Sequence, residues 1–154
     1  MAAAEIAATL EDIVETFQLL DDWEERYRYL IELGRDLQLL EEAAYNEANK
    51  VRGCASQVWL QTSATKGDRD APVLYFRGDS DAHIVRGLLA LIIALYSGKT
   101  ASRILETDAQ GLFDSLDLSA HLTPQRSNGV RAIIERIRQD ARAAARSQPT
   151  PGMG

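Results

Sequence analysis

The run from Leu88 to Leu95, LLALIIAL, has no polar face. A helix that is apolar all round must be surrounded by other elements, so it fixes the middle of the molecule before anything else is known. The apolar stretch from Ile84 to Tyr96 is shorter than the roughly 20 residues needed to cross a bilayer, so a buried core helix is expected. That helix is predicted over Asp81–Tyr96, capped by Asp79 or Ser80 and closed by Gly98.

The surrounding elements follow from periodicity. Ile6, Leu10, Ile13, Val14, Phe17 and Leu20 recur at steps of three and four, which gives a first helix with one apolar stripe. Asp22, with Glu25 three positions on, reads as a capping box opening a second helix. That helix would bury Trp23, Tyr27, Leu30, Ile31 and Gly34. The segment Glu41–Asn49 is expected to be loop or a short helical turn. Gln57–Ser63 and Pro72–Arg77 read as strands, the second ending at Gly78, with a turn at Lys66-Gly67-Asp68 between them. Val51–Ala55 suggests a brief strand and a tight loop. Thr100 and Asp108 are placed to cap two short helices, Ala101–Glu106 and Ala109–Leu116. Thr123-Pro124 opens a last helix with Val130, Ile133, Ile134, Ile137 and Ala141 on its buried side. The expected class is α+β, with a small antiparallel sheet of about three strands packed against helices. A chain of 154 residues fits one domain, 1–146, with the Pro/Gly-rich segment 147–154 expected to be a disordered tail.

Charge and cysteine usage narrow the function. With 23 acidic and 17 basic residues the formal charge is −6, which disfavours nucleic acid and anionic membranes as partners. The start, MAAAEIAATLEDI, lacks the basic and continuous apolar regions of a secretory signal, so the cytoplasm is expected. Absent coiled-coil heptads and an acidic surface point to a monomer. No P-loop, nucleophile elbow or dinucleotide fingerprint is present, and two histidines separated by 38 residues suggest no metal set. His83 reads as a surface residue and His121 as one that pins a loop.

The single cysteine, Cys54, excludes a disulfide framework and a cluster held by several thiolates. Glycine precedes it, alanine and serine follow, and a strand begins just after. Such a loop leaves room for another thiol to approach. Free cysteines are also among the most buried residues, so composition alone leaves packing and reactivity both open. Arg126, a cation in the first turn of the last helix, opposes the helix dipole; it would either steady a thiolate or pin a loop. Arg52 is a weaker candidate for lowering the pKa of Cys54. Asp79, Ser80 and Asp81 read as capping residues with a conceivable part in gating the cysteine loop, and Trp59 reads as core.

Several blocks carry a family pattern. N-K-V-R-G-C-A-S-Q-V-W-L, Asn49–Leu60, resembles the N-x-V-x-G-C-x-S-x-V-W signature of the SufE family of sulfur acceptors. Trp23–Tyr27 with the following LIELGRDL resembles that family's W-E-x-K/R-Y…I-x-L-G segment. Gly78–Leu88 resembles its G-D-S-D-A-x-I-V-K/R-G-L block, and His121–Gly129 its L-x-P-x-R-x-x-G block. The loop near Glu41–Glu47 lacks the prolines many members carry.

The resemblance implies a fold shared with U-type iron–sulfur scaffolds, with a reactive cysteine on a loop at one end of the sheet. It implies that Cys54 takes persulfide sulfur from a SufS-type cysteine desulfurase, stimulates that enzyme, and passes the sulfur to a downstream iron–sulfur scaffold. Arg126 would support that step. No stand-alone reaction is expected, and pyridoxal phosphate would belong to the desulfurase alone. The alternative is a non-catalytic module that stimulates a desulfurase allosterically, with Cys54 structural.

Overall fold

A computed structural model describes residues 9–66 and 71–147. Ile6, the turn at Gly67-Asp68 and the tail beyond Ser147 lie outside the described residues. Among the described residues the order is α1 (Leu10–Leu19), α2 (Trp23–Arg35), β1 (Val58–Lys66), β2 (Pro72–Ser80), α3 (His83–Tyr96), β3 (Lys99–Thr100), α4 (Ala101–Glu106), α5 (Ala109–Ser115) and α6 (Pro124–Ser147). Short 3-10 turns lie at Glu42–Ala44 and Ser119–His121. The class is α+β, as expected, and α6 reaches one residue into the predicted tail.

The sheet is antiparallel with order β1-β2-β3. Its register pairs Val58 with Ser80 and Lys66 with Pro72. Along β2, Leu74, Phe76, Gly78 and Ser80 are buried while Tyr75 is exposed, the period-2 pattern of a sheet covered on one face. Val58 and Leu60 of β1 join that buried face, where α3 supplies Leu88, Leu89, Leu91, Ile92 and Tyr96. Val130, Ile133, Ile137 and Ala141 bring α6 to the same core. The apolar run thus occupies the middle, and none of the described helices is long and apolar enough to cross a membrane.

Close approach sets the crossing of α2 and α3. A Cβ on Gly87 would stand 2.1 Å from the Leu30 carbonyl oxygen, and one on Gly34 would stand 2.8 Å from Arg86 Cβ. Glycine on each helix therefore lets the backbones nearly touch.

Side-chain caps form where the sequence places them. Asp22 accepts from Glu25 N–H, Thr100 from Arg103 N–H, Asp108 from Gly111 N–H and Thr123 from Arg126 N–H. The full reciprocal box is made instead by Thr9 and Asp12 at α1.

Two expectations are corrected. Asp79 and Ser80 do not cap α3, because β2 continues through them opposite Trp59 and Val58; Ala82 occupies the N-cap position without a side-chain bond. The ladder partner on β1 outweighs the turn preference of Gly-Asp-Ser. Trp59 is not in the core. Neighbours on a strand alternate faces, so with Val58 and Leu60 buried it turns to the other side and packs edge-on to Tyr45, centroids 5.1 Å apart.

Candidate functional site around Cys54

Residues 49–51 pair with β1 before the chain reaches the cysteine. Leu60 N–H donates to Asn49 C=O at 2.7 Å, Val51 N–H donates to Val58 C=O at 2.8 Å, and Lys50 bridges Trp59. In place of the brief strand expected near Val51 the chain makes a single isolated bridge, at Lys50, and residues 52–57 connect it to β1. Gly53 adopts φ +92°, a left-handed conformation that costs glycine little and other residues more. This turn lays Cys54 against the start of α6.

The Cys54 thiol is half-buried, and its Sγ lies 3.7 Å from the Gly129 carbonyl, to which the S–H donates. Burial pushes the thiol pKa up from its ordinary value. Both effects favour the protonated form, since a thiolate would lose water and face a carbonyl oxygen. The sulfur opens onto a cavity of about 240 Å³ whose walls include Ala82, Val85, Leu88, Ile133 and Arg126.

Arg126 is the one charged residue among those walls. Its backbone N–H is engaged by the Thr123 cap, but the guanidinium of this partly exposed residue has neither a hydrogen bond nor an ion pair among the described residues. A cation that lines the same cavity as the thiol and has no counter-charge among the described residues is suited to an anionic sulfur brought into that cavity. Arg52 is elsewhere: it is exposed, pairs with Glu47 at 3.3 Å, and lines a different cavity with Lys50, Glu135 and Arg136. Arg52 does not act on the thiol.

The exit of the loop is tied to the start of α3. Asp81 Oδ1 accepts from Gln57 N–H at 3.0 Å, and Asp81 N–H donates to Gln57 C=O at 3.2 Å. Asp79 serves the other flank. It accepts from Tyr45 OH at 2.6 Å and pairs with Arg86, whose Nε lies 2.9 Å away without the alignment of a hydrogen bond. Ser80 Oγ accepts from Ala82 N–H. This trio wires the loop's surroundings, a role the sequence suggested only faintly.

His83 is exposed, and His121 stacks on Trp23 at 3.8 Å while its carbonyl accepts from Tyr27 OH. Neither histidine lines the thiol's cavity. Among the described residues no group of three or more His, Cys, Asp or Glu side chains is arranged to hold a metal ion.

The family pattern covers this geometry. A profile described as SufE, an Fe-S metabolism associated domain, matches residues 11–141. The chain belongs to the SufE family. An uncharacterised SufE-like protein of Rhizobium etli is 53% identical over 138 residues, covering 90% of this chain and 93% of that one. A second, from Rhizobium meliloti, is 52% identical over 133 residues, covering 86% and 94%. The solution structure of a hypothetical protein from Thermus thermophilus superposes with a TM-score of 0.68 at 24% identity. It covers 90% of this chain and 96% of that one, so the fold is shared. This SufE-family chain is accordingly associated with iron–sulfur metabolism.

Proposed function

We propose that Cys54 is the acceptor of sulfane sulfur from the persulfide of a SufS-type cysteine desulfurase. The observation that carries this reading is a lone thiol facing a cavity of mixed apolar and polar walls whose one cation, Arg126, has no counter-charge among the described residues. The Cys54 thiolate attacks the terminal sulfur of the partner's persulfide. A new S–S bond forms on Cys54, the partner's S–S bond breaks, and the electron pair leaves on the partner's cysteine as a thiolate. No external oxidant or reductant is consumed.

Arg126 stabilises the anionic sulfur on this side, and the cavity shields the product persulfide from oxidation. Removing the sulfur relieves the desulfurase, which is how the chain stimulates it. A scaffold for cluster assembly then takes the sulfur by the same exchange. Pyridoxal phosphate remains on the desulfurase.

The half-buried, protonated thiol favours a second reading, an allosteric module in which Cys54 only packs. Intact mass without reductant, after incubation with a desulfurase and cysteine, separates the two. The sulfur-acceptor reading expects one added sulfur on Cys54 and the loss of both that sulfur and stimulation in Cys54→Ser. Full stimulation by Cys54→Ser would overturn it.

A further inference from the structure

The stem of the Cys54 loop is an edge whose outer side is occupied by an arginine. Asn49 C=O and Val51 N–H face β1. Residues 47–50 form a turn closed by Lys50 N–H donating to Glu47 C=O at 3.2 Å, and the carbonyls of Ala48 and Lys50 are not used by β1. Arg136 of α6 meets both. Its Nη2 donates to Ala48 C=O at 2.7 Å and its Nη1 to Lys50 C=O at 3.3 Å. One turn further on, Asp140 Oδ1 accepts from Arg136 Nε at 3.3 Å, and its Oδ2 accepts from Thr62 Oγ1 of β1 at 2.6 Å. The Arg136 and Asp140 side chains are each 23% exposed, so solvent screens them only in part.

The stem then runs back along α6 toward the thiol. Arg136 and Gly129 are about two turns apart, roughly 10 Å along the axis. Between them, a Cβ on Gly53 would sit 3.4 Å from Ala132 Cβ, and Cys54 Sγ rests at Gly129. The stretch from Ala48 to Cys54 is thus held on one helix, pinned at its far end by a guanidinium.

We infer that Arg136 is a positioning residue for Cys54. It takes the place of a neighbouring strand and, with Asp140 and Thr62, fixes the stem on α6 so that the thiol pivots only beyond Val51. The functional meaning rests on reading Cys54 as the sulfur acceptor; the geometry does not. A planar fork can serve two carbonyls and a carboxylate together, whereas an ammonium acts as a point charge. Arg136→Lys therefore keeps the charge and loses the clamp. Thr62→Val keeps the side-chain shape and frees Asp140, and it answers the same question if Arg136→Lys does not fold. Arg126, the one charged side chain lining the thiol's cavity, is untouched by either change.

The test is iodoacetamide alkylation of Cys54 in the full chain across pH, with thermal melting in parallel. Loosening the stem should speed alkylation at a fixed pH by roughly ten- to a hundredfold, the scale of one lost charge-assisted bond. It should also lower the pH midpoint toward that of a free thiol, because the sulfur spends longer in water. Thr9→Ala, which weakens the remote α1 cap, should lower the melting temperature and leave the midpoint where it was. A folded Arg136→Lys with unchanged rate and midpoint overturns the inference. The assay contains no desulfurase, so a Cys54 that never takes up sulfur would leave its result standing. An unchanged alkylation profile would likewise leave the sulfur-acceptor reading intact.

Discussion

Replacing Gly87 by alanine tests the packing that holds the site together. The added methyl would begin 2.1 Å from Leu30 O, 2.5 Å from Leu30 C and 3.0 Å from Leu30 Cβ. A backbone carbonyl cannot rotate out of the way, so α2 and α3 must part by about 1 Å to restore ordinary contact. A gap of that size forfeits about a quarter to a half of the dispersion attraction across it, which touches buried Leu30, Leu33, Leu88 and Leu91. Overpacking of this kind costs about 1–3 kcal/mol, and a backbone clash belongs at the upper end. Alanine returns about 1 kcal/mol of helix propensity. The expected net loss is about 2 kcal/mol, a fall of roughly 4–8 °C in melting temperature for a chain of this size. Urea titration by circular dichroism should show a lower midpoint with an unchanged slope. A Gly87→Ala protein that melts at or above the parent temperature would refute the backbone contact and the argument built on it.

Two further outcomes concern the thiol. Because burial raises the Cys54 pKa, its alkylation should stay slow at neutral pH and rise with a midpoint above that of a free thiol, returning to the free-thiol midpoint in urea. A folded midpoint at or below the unfolded one would show that a charge, not desolvation, governs the thiol. Gly129→Ala would place a methyl 3.8 Å from Cys54 Sγ and, its own helix backbone aside, within 4 Å of no other non-neighbouring atom among the described residues. Melting temperature should hold or rise while alkylation slows; unchanged alkylation would contradict the position of the sulfur.

Much of the fold was legible because its signals are local. Thr100, Asp108 and Thr123 cap the helices they precede, and the stripe on α6 is buried at Val130, Ile133, Ile137 and Ala141. What escaped depends on partners distant in sequence. Gly78-Asp79-Ser80 looks like a turn until β1 lies beside it, and Trp59 looks like core until its strand face is known. At the site, Cys54 and Arg126 were readable and do line one cavity, whereas Arg52 was drawn away by Glu47. Arg136 gave almost no signal. It is one arginine among several on α6, and only its spacing of four to Asp140 hinted at a pair. Its two carbonyl partners are main-chain atoms nearly ninety residues earlier, which no side-chain pattern announces.

The bridge between Lys50 and Trp59 makes the Cys54 segment a loop tip closed at its base against β1, and that closure acts as a ruler. Cys54 lies three residues past Val51, the last paired residue on its arm. At roughly 3.5 Å per residue its Cα can travel no further than about 10 Å from that anchor, even with the tip drawn straight. On the proposed sulfur-acceptor reading, a donor sulfur therefore has to be brought to within that tether of Val51 rather than fetched by a long mobile loop.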